Sequence, residues 1–261
     1  MKLDKSFLES LYSRYNKFKY IHPDPLEFVH KYDSPADKEV VGLVASSLAY
    51  GRVAQILASV GCILGAMGRS PSKFLKAHSD REIKSRFSGF KHRFTTGEDM
   101  ADLLSGVKRI IAEYGSINEL FCSEKIRDQA GLIRAMSSFR KELDCHGKFL
   151  IPDPADGSAC KRMNLFLRWM VRSDEVDPGG WQGISPSVLI VPLDTHMANI
   201  SRLLGLTSRK NAGMLMALEV TDGFRKICDS DPVRYDFALT RFGIRADMSI
   251  AELIKKQSET A

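Results

Sequence analysis

Cysteine is scarce in this 261-residue chain, and its five residues are odd in number and widely scattered. This distribution fits reduced thiols better than a disulfide framework, and no two cysteines suggest a metal-binding pair. The amino-terminal MKLDKSFLES lacks the apolar core of a secretory signal, and no stretch approaches the length of a membrane span. These absences predict a cytoplasmic protein that makes no membrane contact and holds no metal.

The alternation of apolar and polar residues that marks half-buried strands is also missing, whereas helical periodicity recurs along the chain. With 44% hydrophobic and 27% charged residues, the chain can bury a substantial core. The sequence therefore predicts a compact all-α protein. Its net charge of +6 and pI near 9.0 favour a polyanionic partner, although many proteins of similar charge never bind nucleic acid.

Apolar periodicity and end signals mark the helices. The predicted helical segments are residues 5–18, 34–51, 52–67, 97–115, 130–143, 158–173, 195–206 and 229–243. The last of these opens on an Asp-Pro pair and closes on Gly243. Residues 69–93 form the most basic stretch, with eight Lys or Arg against two acids. This stretch is either a solvated helical face or a contact surface for backbone phosphates.

One lysine stands at the start of a strongly apolar segment, SACKRMNLFLRWMVRS. Lys161 follows Gly157 and Ser158 in a flexible turn, and the backbone N–H groups of such a turn can hold a phosphate. Arg168 and Arg172 fall on the same side of the predicted helix as Lys161. This cationic stripe is either an ordinary surface beside the core or a contact surface for nucleic acid.

An aspartate opens the next predicted helix, in VPLDTHMANISRLLGL. The simplest interpretation makes Asp194 an N-cap, which accepts hydrogen bonds from amides of the following turn. A carboxylate at a helix start can also stabilise a cation that develops nearby. His196, two residues later, is expected to bond either to the backbone or to a substrate.

Three features follow one another between Gly157 and Leu206. They are a glycine four residues before a lysine, an apolar helix, and a VDTH-like turn that opens a helix ending in RLLGL. This arrangement resembles the helix-hairpin-helix DNA glycosylase superfamily. There the lysine is the nucleophile of the bifunctional enzymes and the aspartate is the catalytic carboxylate; the matching positions are Lys161 and Asp194. Their separation of 33 residues is similar to that of archaeal 8-oxoguanine glycosylases, with SDEVDPGGWQGISPS as an insertion.

The sequence also departs from that superfamily at two places. The hairpin reads PADGSACK instead of the usual Leu-Pro-Gly-Val-Gly form. The four-cysteine iron–sulfur cluster of some members has no counterpart, because only Cys228 follows Asp194. The resemblance thus implies an enzyme without a cofactor and without an iron–sulfur cluster.

The resemblance implies two helical lobes with the active-site cleft between them. Residues 36–190 would form the central lobe with the hairpin and Lys161, and residues 1–35 with 191–261 would form the second lobe with Asp194. The segment SSLAYGRVAQ occupies the place of a helix that lines the base pocket in the superfamily. The residues expected to contact the base or the nucleic acid are Tyr50, Arg52, Gln55, Gly157, Ser158, Arg162, Arg168, Trp181 and His196.

Two of these aromatic residues keep alternative interpretations. Tyr50 is either a residue that stacks on a base or a core residue. Trp181, in the insertion, is either a stacking platform or a hydrophobic lid on the core.

Over most of its length the chain is similar to a bacterial family of unknown function that shares AYGR, KR-N-FLRWMVR-D, G-W, PLDTH and YDFALTR-GI. That similarity brings no activity with it, whereas the superfamily resemblance implies a DNA base-excision glycosylase, with or without AP lyase activity. Its partner would be damaged duplex DNA carrying an oxidised, 8-oxoguanine-like base. Two other hypotheses remain open: a non-catalytic DNA- or RNA-binding protein on this scaffold, and an enzyme that modifies a nucleoside or nucleotide.

Overall fold

The computed structural model describes residues 4–144 and 149–245, together with Met248 and Leu253. These residues are mainly helical, which confirms the predicted all-α class. The α-helices are α1 (Lys5–Tyr15), α2 (Pro35–Ser47), α3 (Val53–Met67), α4 (Pro71–Ala77), α5 (Asp80–Phe87), α6 (Gly97–Tyr114), α7 (Ile117–Ser123), α8 (Gln129–Leu143), α9 (Lys161–Val171), α10 (Thr195–Leu203), α11 (Met214–Arg225) and α12 (Asp236–Ile244). Short 3-10 helices cover Phe18–Tyr20, Pro25–Lys31, Pro154–Asp156 and Pro186–Val188.

One small hairpin escaped the sequence pattern. Strand β1 (Lys91–His92) pairs antiparallel with β2 (Thr95–Thr96), and His92 lies opposite Thr95. Two-residue strands are too short to show alternation, which explains why no strand was predicted here. Arg93, with φ of 53°, makes the turn between them.

The last predicted helix begins later than its sequence suggests. The Asp-Pro pair opens a series of turns, and α12 starts only at Asp236 and ends at Ile244. The prediction that Gly243 closes this helix is therefore wrong. Gly243 lies inside the helix at a point of close packing, because a Cβ there would stand 2.6 Å from the Nδ1 atom of His196.

Close packing of α2 against α9 sets the position of the catalytic candidates. Gly42 lies at this contact, where an added Cβ would stand 3.1 Å from the Cε atom of Met170 and 3.4 Å from the ring of Phe166. Both α1 and α10 pack against α12. As a result, the carboxyl end of α2 meets the amino ends of α9 and α10 beside one face of α12.

A network of buried ion pairs connects α9 to the segments around it. Arg168 and Arg172 are 3% and 4% exposed, so the two arginines of the predicted cationic stripe are not on the surface. Asp177 accepts from both arginines, Asp236 binds Arg168, and Asp231 lies 3.0 Å from Arg172. Buried arginine needs such partners, because an uncompensated charge in the interior is very costly.

Among the described residues, no single helix is both long enough and apolar enough to cross a membrane. Helices α3 and α4 together have the length and apolar composition of a membrane span, but the chain bends by 52° between them. The division into lobes at residues 36 and 190 stays a prediction. Cys145 lies outside the described residues. So do most of the residues after 245, which are the last part of the predicted second lobe.

Candidate active site

A cavity of about 900 Å³ lies where these helix ends meet. Its walls come from the turn after α2, the turn before α9, the start of α10 and one face of α12. A cavity of this size can enclose most of a drug-sized molecule. It holds both predicted catalytic residues, Lys161 and Asp194.

Lys161 is the first residue of α9, and its ammonium group points to the end of α2. The Nζ atom donates to the Ala49 carbonyl oxygen at 3.1 Å and lies 3.9 Å from Oδ2 of Asp194. The two side chains are 31% and 19% exposed, respectively, so both remain within reach of a ligand. The structure therefore brings together a lysine and a carboxylate that are far apart in the sequence.

Asp194 uses its two oxygens for different contacts. Its Oδ1 accepts from the Met197 amide at 2.8 Å, which confirms the predicted N-cap of α10. Its Oδ2 faces Lys161. The structural role and the chemical role of this carboxylate are therefore compatible, because each needs only one oxygen.

Tyr50 and Arg162 form an aromatic and cationic wall with Phe149. The Arg162 guanidinium lies 5.1 Å from the Tyr50 ring and 4.6 Å from the Phe149 ring, and it donates to the Ser47 carbonyl oxygen at 3.1 Å. Burial lowers the pKa of Arg162 to about 10. The Tyr50 hydroxyl donates to the His92 carbonyl oxygen at 2.8 Å, so this end of its side chain is fixed by the protein.

The turn before α9 is hydrogen-bonded to the start of α11. Gly157, with φ of 75°, ends the short 3-10 helix, and its carbonyl oxygen accepts from the Met214 amide at 3.0 Å. Ser158 pairs with Gly213, and its hydroxyl accepts from the Cys160 amide at 3.2 Å. No side-chain cap covers the amino end of α9, so its first amides lack such a partner.

His196 lines the cavity from the first turn of α10, and its contact with a base stays a prediction. The other predicted residues differ in their placement. Arg52 and Gln55 are exposed near the start of α3 and do not line the cavity. Trp181 is buried against Phe121 and Phe166, with ring centroids 5.3 and 5.2 Å away. This placement favours the second interpretation of Trp181, a lid on the core.

Sequence reasoning assigned no role to several residues around the cavity. Phe149 forms part of its wall, and Phe94 packs against Phe149 with 71% of its own surface exposed. Nothing in the local sequence distinguishes these phenylalanines from core residues. Asp236 and Arg241 also line the cavity, and both occur within YDFALTR, a motif whose sequence alone indicates no chemistry.

Cys160 precedes Lys161, and burial raises the pKa of its thiol to about 11. At pH 8 we expect iodoacetamide to leave Cys160 unmodified in the folded protein, because only roughly a thousandth of such a thiol is ionised. The exposed Cys62 is the internal control and is expected to react. Mass spectrometry of peptides, with and without denaturant, measures both. Equal labelling of the two cysteines without denaturant would contradict the burial of Cys160.

Among the described residues, no group of three or more His, Cys, Asp or Glu side chains is arranged to hold a metal ion. No curated protein and no solved structure matches the chain. Residues 24–245 match the model of the family described as "Protein of unknown function (DUF2400)", and the chain therefore belongs to this family.

Proposed function

We propose that this protein is a DNA base-excision glycosylase with AP lyase activity, acting on an oxidised base in duplex DNA. One observation carries the proposal: the Nζ atom of Lys161 lies 3.9 Å from Oδ2 of Asp194 inside a cavity of about 900 Å³. An amine beside a carboxylate suits a reaction in which a nucleophile attacks a carbon that becomes positively charged. The resemblance to the helix-hairpin-helix glycosylases points to the same two residues.

Lys161 supplies the nucleophile. After the ammonium loses a proton, the amine attacks C1′ of the extruded nucleoside, and the C1′–N bond breaks with its electron pair passing to the base. The base leaves and takes up the proton that the lysine lost. The nitrogen lone pair then breaks the C1′–O4′ bond, O4′ takes up a proton from solvent, and a protonated Schiff base with Lys161 remains. Loss of a proton from C2′ then breaks the C3′–O bond, which cuts the strand.

Asp194 supplies negative charge where the sugar becomes positive. Its Oδ2 stands beside the attacking amine. The hydrogen bond that Oδ1 accepts from the Met197 amide fixes the orientation of the carboxylate. A charge that is held in place before the reaction stabilises the transition state without reorganisation. Lys161 and Asp194 thus act on the same sugar from adjacent helix starts.

Exposed groups at the rim suit a nucleic acid better than a free nucleoside. Phe94 is 71% exposed, with the Arg93 guanidinium 5.4 Å from its ring centroid. Exposed aromatic rings stack on bases, and arginine pairs with phosphates. Binding to a long duplex should therefore weaken as salt rises, whereas an enzyme for free nucleosides would show no such binding.

Borohydride trapping tests the proposal. The protein is incubated with duplexes carrying a single 8-oxoguanine or a single abasic site, and borohydride reduces any Schiff base to a stable amine. We expect a covalent adduct with the wild-type protein and none with Lys161→Ala, because the variant lacks the amine. Gel electrophoresis and peptide mapping identify the linked residue.

Lys84→Ala is the matched control, since Lys84 is an exposed lysine that pairs with Glu98 and does not line the cavity. This variant should give the wild-type adduct. An adduct that persists in Lys161→Ala would contradict the assignment of the nucleophile. If no substrate gives an adduct or a released base while the duplex still binds, the glycosylase proposal fails and a non-catalytic binder remains.

A further inference from the structure

The floor of the cavity carries a buried carboxylate with one free oxygen. Asp236, at the start of α12, lines the cavity and is 3% exposed. Its Oδ2 binds the Nη1 atom of Arg168, whereas its Oδ1 is buried and has no hydrogen-bond partner among the described residues. Buried acceptors are nearly always paired with protein or water, so the free oxygen of this cavity-lining residue calls for a partner.

The neighbouring carboxylate of the same network behaves differently. Both oxygens of Asp177 are used, one by Arg168 and the other by Arg172, and Asp177 does not line the cavity. Asp177 alone already provides Arg168 with a buried counter-charge. Asp236 therefore has a spare oxygen that the ion-pair network does not need.

Asp236 also suits the role of an acceptor electrostatically. Burial raises its pKa to about 6, while the Arg168 guanidinium opposes that rise. At neutral pH the carboxyl group is mostly ionised, and an ionised carboxylate accepts hydrogen bonds but donates none. Arg241 lines the same cavity, and its buried Nε also has no partner among the described residues.

We propose that Oδ1 of Asp236 selects the base that enters the cavity, by accepting a hydrogen bond from a ring N–H group. The proposal rests on the proposed glycosylase function and adds the chemical class of the base. A ring nitrogen that carries hydrogen, as in 8-oxoguanine at N7 or hypoxanthine at N1, would satisfy the buried oxygen. The corresponding bases with a bare ring nitrogen, guanine at N7 and adenine at N1, would place an acceptor against an acceptor.

The substitution Asp236→Asn should reverse this preference. Arginine has only donors, so the amide oxygen of the asparagine is expected to stay with Arg168. The amide nitrogen then faces the cavity and presents a donor in place of the acceptor. Because the side chain keeps its shape, the change alters hydrogen bonding more than packing.

Binding to uncleavable duplexes measures the preference apart from catalysis. Each duplex carries one target base on a 2′-fluoro sugar, which resists cleavage, and the bases form two pairs: 8-oxoguanine with guanine, and hypoxanthine with adenine. For at least one pair, wild-type protein should bind the N–H base about 10- to 100-fold more tightly, as expected for one hydrogen bond to a charged group. In Asp236→Asn the ratio of the affinity for the N–H base to the affinity for its partner base should fall to one or below.

Asp231→Asn is the matched control, because Asp231 belongs to the same network through Arg172 and does not line the cavity. It should keep the wild-type ratio. The proposal is overturned if wild-type protein shows no preference in either pair, or if Asp236→Asn and Asp231→Asn alter the ratio equally. Should Asp236→Asn fail to fold, the ratios of the wild-type protein still decide, since lack of a preference refutes the assignment.

Trapping on the abasic duplex separates this inference from the proposed function. An abasic site has no base, so Lys161-dependent trapping of the wild-type protein does not depend on base selection. If trapping is absent even in the wild-type protein, the glycosylase function fails. If trapping is present but the base ratio does not depend on Asp236, only the selection proposal fails.

Discussion

Replacing Asp194 by asparagine is expected to slow base release by about 100- to 1000-fold, the usual loss when one fixed electrostatic group is removed from a transition state. The variant loses the negative charge beside the Nζ atom of Lys161. It should retain the fold, because asparagine is as good an N-cap as aspartate and can still accept from the Met197 amide. Single-turnover release of the base measures the effect.

Asp128→Asn is the control for this substitution. Asp128 caps α8 by accepting from the Gly131 amide at 2.7 Å, and it does not line the cavity. Both variants should unfold at denaturant concentrations close to that of the wild-type protein, and only Asp194→Asn should lose activity. Equal rates of base release in the two variants would leave Asp194 with its N-cap role alone.

Removal of Asp177 is expected to be the most damaging change to stability, with a loss of about 3–5 kcal/mol in the free energy of unfolding. Asp177 is fully buried and contacts both Arg168 and Arg172. In Asp177→Ala these guanidinium groups stay in the interior with fewer counter-charges, and water cannot solvate them there. Urea unfolding of the purified variant measures the loss.

Asp231→Ala tests whether burial causes the effect. Asp231 also pairs with Arg172, at 3.0 Å, but its side chain is 18% exposed. Water can therefore take the place of part of this carboxylate in the variant. We expect a clearly smaller loss of stability than in Asp177→Ala. If the two variants lose the same amount, the interior position of Asp177 is not what matters.

Much of the site could be predicted where the cause is local. The sequence around Asp194 contains a complete helix start, so its N-cap role follows from neighbouring residues alone. Lys161 at the start of α9 is equally visible, because the polar turn before it ends where apolar periodicity begins. The expectation that these two residues face each other required the superfamily resemblance, since no local pattern spans 33 residues.

The burial of Arg168 shows why the rest could not be predicted. Its partners lie 9 and 68 residues farther along the chain, at Asp177 and Asp236. Helical periodicity specifies which side of α9 carries the arginine, but not which segment covers that side. The free oxygen of Asp236 is still harder to predict. It depends on how the two arginines divide their hydrogen bonds between Asp177 and Asp236.

The first two side chains of α9 also complete the end of another helix. Lys161 donates to the Ala49 carbonyl oxygen, and Arg162 donates to that of Ser47, at the point where α2 runs out of its own amide partners. For Lys161 to reach a sugar, its Nζ atom must leave Ala49. Its departure would leave the Ala49 carbonyl oxygen without this donor, so the turn at residues 48–51 and the position of the lysine are coupled.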